Sequence, residues 1–170
     1  MNHHNTSSLL HQLESQDGVQ RTRAREKLIS LAGPDVTRAL IGKLLSPRSQ
    51  VRWEAAKCLL SIADPIAAIP LVHAMDDEDE NIRWIASEGV AQLGESGLMA
   101  LLSGLTRQAP SSVFCRAAHH ALRDMEKNGL QREVVRPVIQ AIEGFEPTLS
   151  TPIAAYKALQ SMQIPHAQPA

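Results

Sequence analysis

The chain has 170 residues and a formal net charge of −1, with 17 Lys and Arg balanced against 18 Asp and Glu. That length makes one ordinary domain with a sizeable core, and near-neutrality argues against a continuous phosphate-tracking surface or attachment to an anionic membrane. Aromatic residues are 3% of the chain, so Leu, Ile, Val and Ala must fill the core, which suits close helix packing.

The opening Met1-Asn2-His3-His4-Asn5 lacks the basic start and apolar stretch of a secretory signal, and residues 1–6 read as a disordered lead. No apolar run approaches the roughly 20 residues of a membrane span. From there the apolar spacing predicts ten helices in one domain over residues 7–162, at about 7–14, 19–32, 35–45, 49–63, 66–75, 80–93, 96–106, 112–126, 131–144 and 150–162. Asp17 and Asp79 each stand before a helix start and can accept from its free amides. Arg48 takes that place in the intervening copy, where Ser46-Pro47 offers an earlier start. Cys58 and Cys115 fall inside helices with no metal-type spacing and read as buried or half-buried thiols, consistent with a reducing, cytoplasmic location. The run Asp76-Asp77-Glu78-Asp79-Glu80 reads as a solvated turn between helices. Residues 163–170 read as a disordered tail.

These helices repeat with a period of 31 residues. Val51-Arg52-Trp53-Glu54-Ala55-Ala56 returns as Ile82-Arg83-Trp84-Ile85-Ala86-Ser87, Leu28-Ile29-Ser30-Leu31-Ala32 as Leu59-Leu60-Ser61-Ile62-Ala63, and Leu9-Leu10-His11-Gln12-Leu13 as Leu40-Ile41-Gly42-Lys43-Leu44. Such a period means one helical hairpin stacked on copies of itself around a continuous seam. In the clearest unit Val51, Ala55, Leu59 and Ile62 lie on one helical stripe, and after Ala63-Asp64-Pro65 a second apolar run, Ile69, Leu71, Val72 and Met75, follows. Ala55-Ala56 and Ala86-Ser87 let helix backbones cross closely. Beyond residue 125 the copy weakens: Val134–Ile139 still reads as a second helix of a hairpin, and Ile153–Leu159 as a last first helix.

An Asp cap, then Val/Ile-Arg, two small residues and Leu, closed by an Ala/Pro-led second helix, resembles the HEAT repeat. Among HEAT-like chains it is most similar to the short repeats of phycobilisome lyase subunits and small bacterial proteins. The resemblance implies a right-handed, armadillo-like α-solenoid of about four to five hairpins, with second helices on the concave side. Arg52 and Arg83 match the motif's arginine. Arg21 matches it with Gln20 in place of the apolar neighbour, and Phe114 replaces it in the fourth unit, where the ladder is expected to break.

The family's functional branches can be weighed on residues. Di-iron hydroxylases of this type carry His-Glu pairs, and none of the 7 histidines here precedes Glu; His119 and His120 point about 100° apart on a helix and cannot chelate one ion together. HEAT-like DNA glycosylases need a basic, aromatic groove. Here Arg21/Arg25 and Arg23/Lys27 fall on different helix faces with Glu26 between them, which reads as a solvated surface. No phosphate loop, nucleophile elbow or Cys–His signature is present, and Glu88 facing His119 across repeats reads as a surface contact. The expectation is a non-catalytic scaffold without metal or cofactor that binds another protein or peptide, with a helper subunit of a bilin-lyase-like complex as the alternative and nucleic acid a weaker third.

Aligned second helices place Arg38, Ile69, Met99 and Arg136 in one outward row, and Gly42, His73, Ser103 and Gln140 in the next. Together they predict a shallow groove, apolar at its middle and basic at both ends, for a peptide with an apolar centre and acidic flanks. Alternatively, Ile69 and Met99 cover the adjoining hairpin. Trp53 and Trp84, one repeat apart, are either interface anchors or covers for the neighbouring repeat.

Overall fold

In the computed structural model, which describes residues 3–107 and 111–163, the chain folds into ten α-helices. They are α1 (His3–Gln12), α2 (Gly18–Ser30), α3 (Pro34–Lys43), α4 (Ser49–Ile62), α5 (Ala68–Ala74, preceded by a 3-10 turn at Pro65–Ala67), α6 (Glu80–Gln92), α7 (Gly94–Leu105), α8 (Ser112–Lys127), α9 (Arg132–Glu143) and α10 (Pro147–Gln163). The first begins four residues ahead of the expected 7–14. Gln163 closes α10, and the rest of the expected tail lies outside the described residues, as do 108–110 of the α7–α8 turn.

Through α8 the helices form two layers, α1, α3, α5 and α7 in one and α2, α4, α6 and α8 in the other. This is an α-solenoid, with one continuous core running from Leu9 and Leu13 through Leu59, Leu71, Ile82 and Leu102 to Ala155 and Ala158. The anticipated seam holds: Val51, Ala55 and Leu59 are buried, Ile62 packs beside them, and Ala56, Ala86 and Ser87 are fully enclosed where α4, α6 and α8 cross. Two glycines are demanded by close approach. A Cβ on Gly97 would sit 1.9 Å from the Val90 carbonyl oxygen, and one on Gly104 2.9 Å from Val72 and 3.1 Å from Phe114.

The repeat arginine is a staple. Arg21 donates to the carbonyls of Ser15 (2.9 Å) and Gln16 (3.0 Å), Arg52 to those of Ser46 (2.9 Å) and Pro47 (3.4 Å), and Arg83 to those of Asp77 (2.8 Å) and Glu78 (2.9 Å). Each ties its helix to the turn five and six residues before it, and Arg21 does so fully despite Gln20. Arg52 also forks onto Asp77 of the next turn, at 2.7 and 2.9 Å. The Asp77 hydrogen bond, opposed by partial burial, raises the Arg52 pKa above its ordinary value and keeps it charged. Arg21 and Arg25 both pair with Glu54, which is 2% exposed, so α2 is clamped to α4 by a buried carboxylate. In the fourth unit Phe114 is buried and packs at Gly104, so apolar contact replaces the staple.

Caps follow the sequence where an Asp is present. The Asp17 side chain accepts from the Val19 amide and Asp79 from that of Asn81. The Arg48 side chain makes no capping bond, and α4 starts at Ser49 and not earlier; Ser46 serves the turn by accepting from the Arg48 amide at 3.3 Å.

The last hairpin departs from the expected register. α9 packs on α8, and α10 packs on α7 and α9, so the two helices exchange layers relative to the units before them. The turn between α8 and α9 contains two left-handed residues, Gly129 (φ +78°) and Gln131 (φ +37°), which redirect the chain as it leaves α8.

Candidate partner-binding surfaces

The α3–α5–α7 layer presents most of the expected outward row to solvent. Arg38 on α3, Ile69 and His73 on α5, and Met99 and Ser103 on α7 are all exposed, as is Gly42. Ile69 is 61% exposed and Met99 40% exposed. Their neighbours Ala68, Leu71, Val72 and Leu98 are buried, which fixes which side of each helix faces outward. Arg38 pairs at 3.1 Å with Asp35 one turn earlier, both side chains largely in water, so its charge is available at the α3 end.

Arg136 and Gln140 are exposed but do not join that row, because α9 stands on α8 and not on α7. Arg136 reaches Glu126 of α8 at 2.7 Å. Arg123 spans Glu126 and Glu143, and His119 meets Glu143 at 2.7 Å. Hydrogen bonds from Arg136 and Arg123 lower the Glu126 pKa, and those from His119 and Arg123 lower that of Glu143. Arg107, just past the end of α7, is exposed, and its Nη2 lies 3.2 Å from His73 Nε2. Sequence reasoning missed Arg107; its place just after the α7 leucine run, level with the end of α5, was the available signal.

Trp53 and Trp84 differ. Trp53 is half-buried, with the Lys57 ammonium 4.5 Å and the Arg25 guanidinium 5.9 Å from its ring centroid, so it is covered by cations on its own side of the stack. Trp84 is 53% exposed; it stacks on His120 of α8 at 3.9 Å and donates from Nε1 to Glu88 at 3.0 Å. Glu88 and His119 therefore have separate partners, Trp84 and Glu143.

The thiols are unsuited to nucleophilic work. Burial pushes the Cys58 pKa up to about 12 and raises that of half-buried Cys115. Among the described residues no three His, Cys, Asp or Glu side chains are grouped to hold a metal ion, and no helix is long and apolar enough to cross a membrane.

A profile of HEAT repeats matches residues 6–91 and again 47–123, together more than half of the chain. Two solved structures of engineered proteins from the Northeast Structural Genomics Consortium are similar: one is 20% identical, with a TM-score of 0.44, covering 95% of this chain and 85% of that one. The other is 16% identical, with a TM-score of 0.40, covering 96% and 99%. No curated protein matches the chain.

Proposed function

The chain belongs to the HEAT-repeat family, and on that premise we propose that it is a non-catalytic scaffold that holds another protein along α3, α5 and α7. The observation that carries this reading is the pair Ile69 and Met99, apolar and open to solvent on packed neighbouring helices. Arg38 stands at one side and Arg107 beside His73 at the other. A peptide segment with an apolar centre and acidic flanks fits that sequence of chemistries, because its apolar side chains leave water as its carboxylates meet exposed cations. The seam beneath is complete without the two apolar side chains, so the surface is free to serve recognition.

The test is to pan a peptide library against the chain and measure the selected peptides by titration calorimetry. Acidic-flanked apolar peptides are expected, with binding lost in Ile69→Glu and Met99→Glu while helicity by circular dichroism is kept. Unchanged binding in both variants would overturn the assignment of this face, and loss of helicity would show that they are core residues.

A further inference from the structure

The outer side of the last hairpin is a second apolar surface, and it lies at the end of the stack. Val134, Pro137 and Ala141 of α9 face Ile153, Ala154 and Ala158 of α10 across an open groove of about 640 Å³. Beside it Leu149, Ile153 and Tyr156 are 63%, 57% and 56% exposed. Their spacing of four and then three residues stacks them as a ridge along one face of α10. The walls of the groove are mostly apolar, with Glu133, Gln140, Lys157 and Ser161 along its borders.

Its charges are arranged as well. Glu133 and Lys157 border the same groove, both are exposed, and neither has an ion-pair partner among the described residues. Ser150 Oγ donates to the Ala141 carbonyl at 2.9 Å, which sets α9 and α10 antiparallel with Glu133 level with Lys157.

We propose that this face joins two copies of the chain about a two-fold axis running along the groove. Such an axis lays α9 of each copy over the partner's α10 and leaves residues at the same level along the helices. Glu133 then meets the partner's Lys157, and Lys157 the partner's Glu133, forming two ion pairs from one arrangement. The Ile153 ridge of each copy then lies against the apolar side of the partner's α9, and the reciprocal contact forms on the other side of the axis. An apolar side on each of two antiparallel helices and two opposite charges level across the groove between them form a self-complementary surface; a foreign partner would need only one of each pair. None of these residues belongs to the α3–α5–α7 row, so this proposal and the peptide-holding one stand or fall separately.

Sedimentation velocity of the full chain between about 1 and about 200 µM should show concentration-dependent dimers. Ile153→Asp and Lys157→Glu should each weaken the dimer by at least about tenfold, and the swap E133K/K157E should restore it, because the pairs re-form with reversed sign. Circular dichroism should be unchanged in all of them, since the altered side chains are exposed. A wild-type chain that stays monomeric throughout, dimers indifferent to I153D and K157E, or a swap no better than its single variants would each overturn the proposal.

Discussion

Arg52→Ala tests whether the arginine staple holds one repeat to the next. The Arg52 and Asp77 side chains are both 9% exposed, whereas Glu78, its other carboxylate contact, is 84% exposed and screened by water. Removing one member of a buried pair costs about 3–5 kcal/mol, because the remaining charge stays desolvated. Asp77 keeps one compensation, the Asp79 amide at 2.9 Å, which places the cost near the lower end, at about 3 kcal/mol. That corresponds to a fall in Tm of roughly 6–12 °C for a chain of this size. The other copies set an internal scale. Arg21→Ala leaves Glu54 with Arg25 and Gln50 and should cost about 1–2 kcal/mol. Arg83 gives up only its two carbonyl bonds, so Arg83→Ala should cost about 1 kcal/mol. Urea unfolding followed by circular dichroism measures all three, and an R52A/D77A cycle should return a coupling of about 2 kcal/mol. An R52A cost below about 1 kcal/mol, or R83A the most damaging of the three, would refute the assignment of stacking energy to the Asp77 fork.

Glycine substitutions separate packing from propensity: Gly97→Ala should destabilise by at least about 3 kcal/mol in the same urea assay, since its Cβ meets backbone at 1.9 Å. Gly42→Ala, in α3 with nothing within 4 Å, should stabilise by about 0.5–1 kcal/mol. The hydrogen bond from Lys43, partly opposed by burial, lowers the Glu14 pKa from its ordinary value of 4.5. A depressed carboxylate stabilises the fold above its unfolded-state pKa and loses that contribution as pH falls through the folded one. Unfolding profiles of Glu14→Gln should therefore be less stable near pH 7 and fall less steeply below about pH 4.5, and parallel wild-type and variant profiles would rule this out. In fluorescence, Trp53→Phe leaves exposed Trp84, whose emission should be redder and more readily quenched by acrylamide than that of half-buried Trp53 in Trp84→Phe; the reverse order would contradict the placement of both indoles.

The helices and the seam were legible because both are written in spacing. Apolar residues at helical intervals located all ten helices, and the recurring small pairs located the crossings at Ala55-Ala56 and Ala86-Ser87. The ion pairs were not legible, because a period shows which residues recur and not what they touch. Arg21 with Arg25 reads locally as one face of a solvated basic helix, yet both reach Glu54, buried some thirty residues downstream. Position 54 offered no warning, since its repeat equivalent is Ile85. The row of outward side chains held as far as the stacking was regular, through Arg38, Ile69 and Met99, and lost Arg136 and Gln140 where it was not.

That loss has a local cause. Between the layers, the α4–α5 turn uses one left-handed residue, Ala63 at φ +52°, and the α6–α7 turn one, Gly94 at φ +59°. The α2–α3 turn makes the same change of layer with none. The α8–α9 turn uses two, Gly129 and Gln131, separated by a single residue. Leu130 donates back to the Met125 carbonyl at 2.9 Å, which closes the end of α8 before the chain turns a second time at Gln131. Asn128-Gly129 signals a helix end in the sequence, but Gln131 has no conformational signature, so the direction of exit could not be read. The second turn sets α9 on α8, leaves the place beside α7 to α10, and so creates the groove between the last two helices. An irregular turn, and not a distinctive motif, thus builds the surface proposed for self-association, and a period-based alignment passes over it.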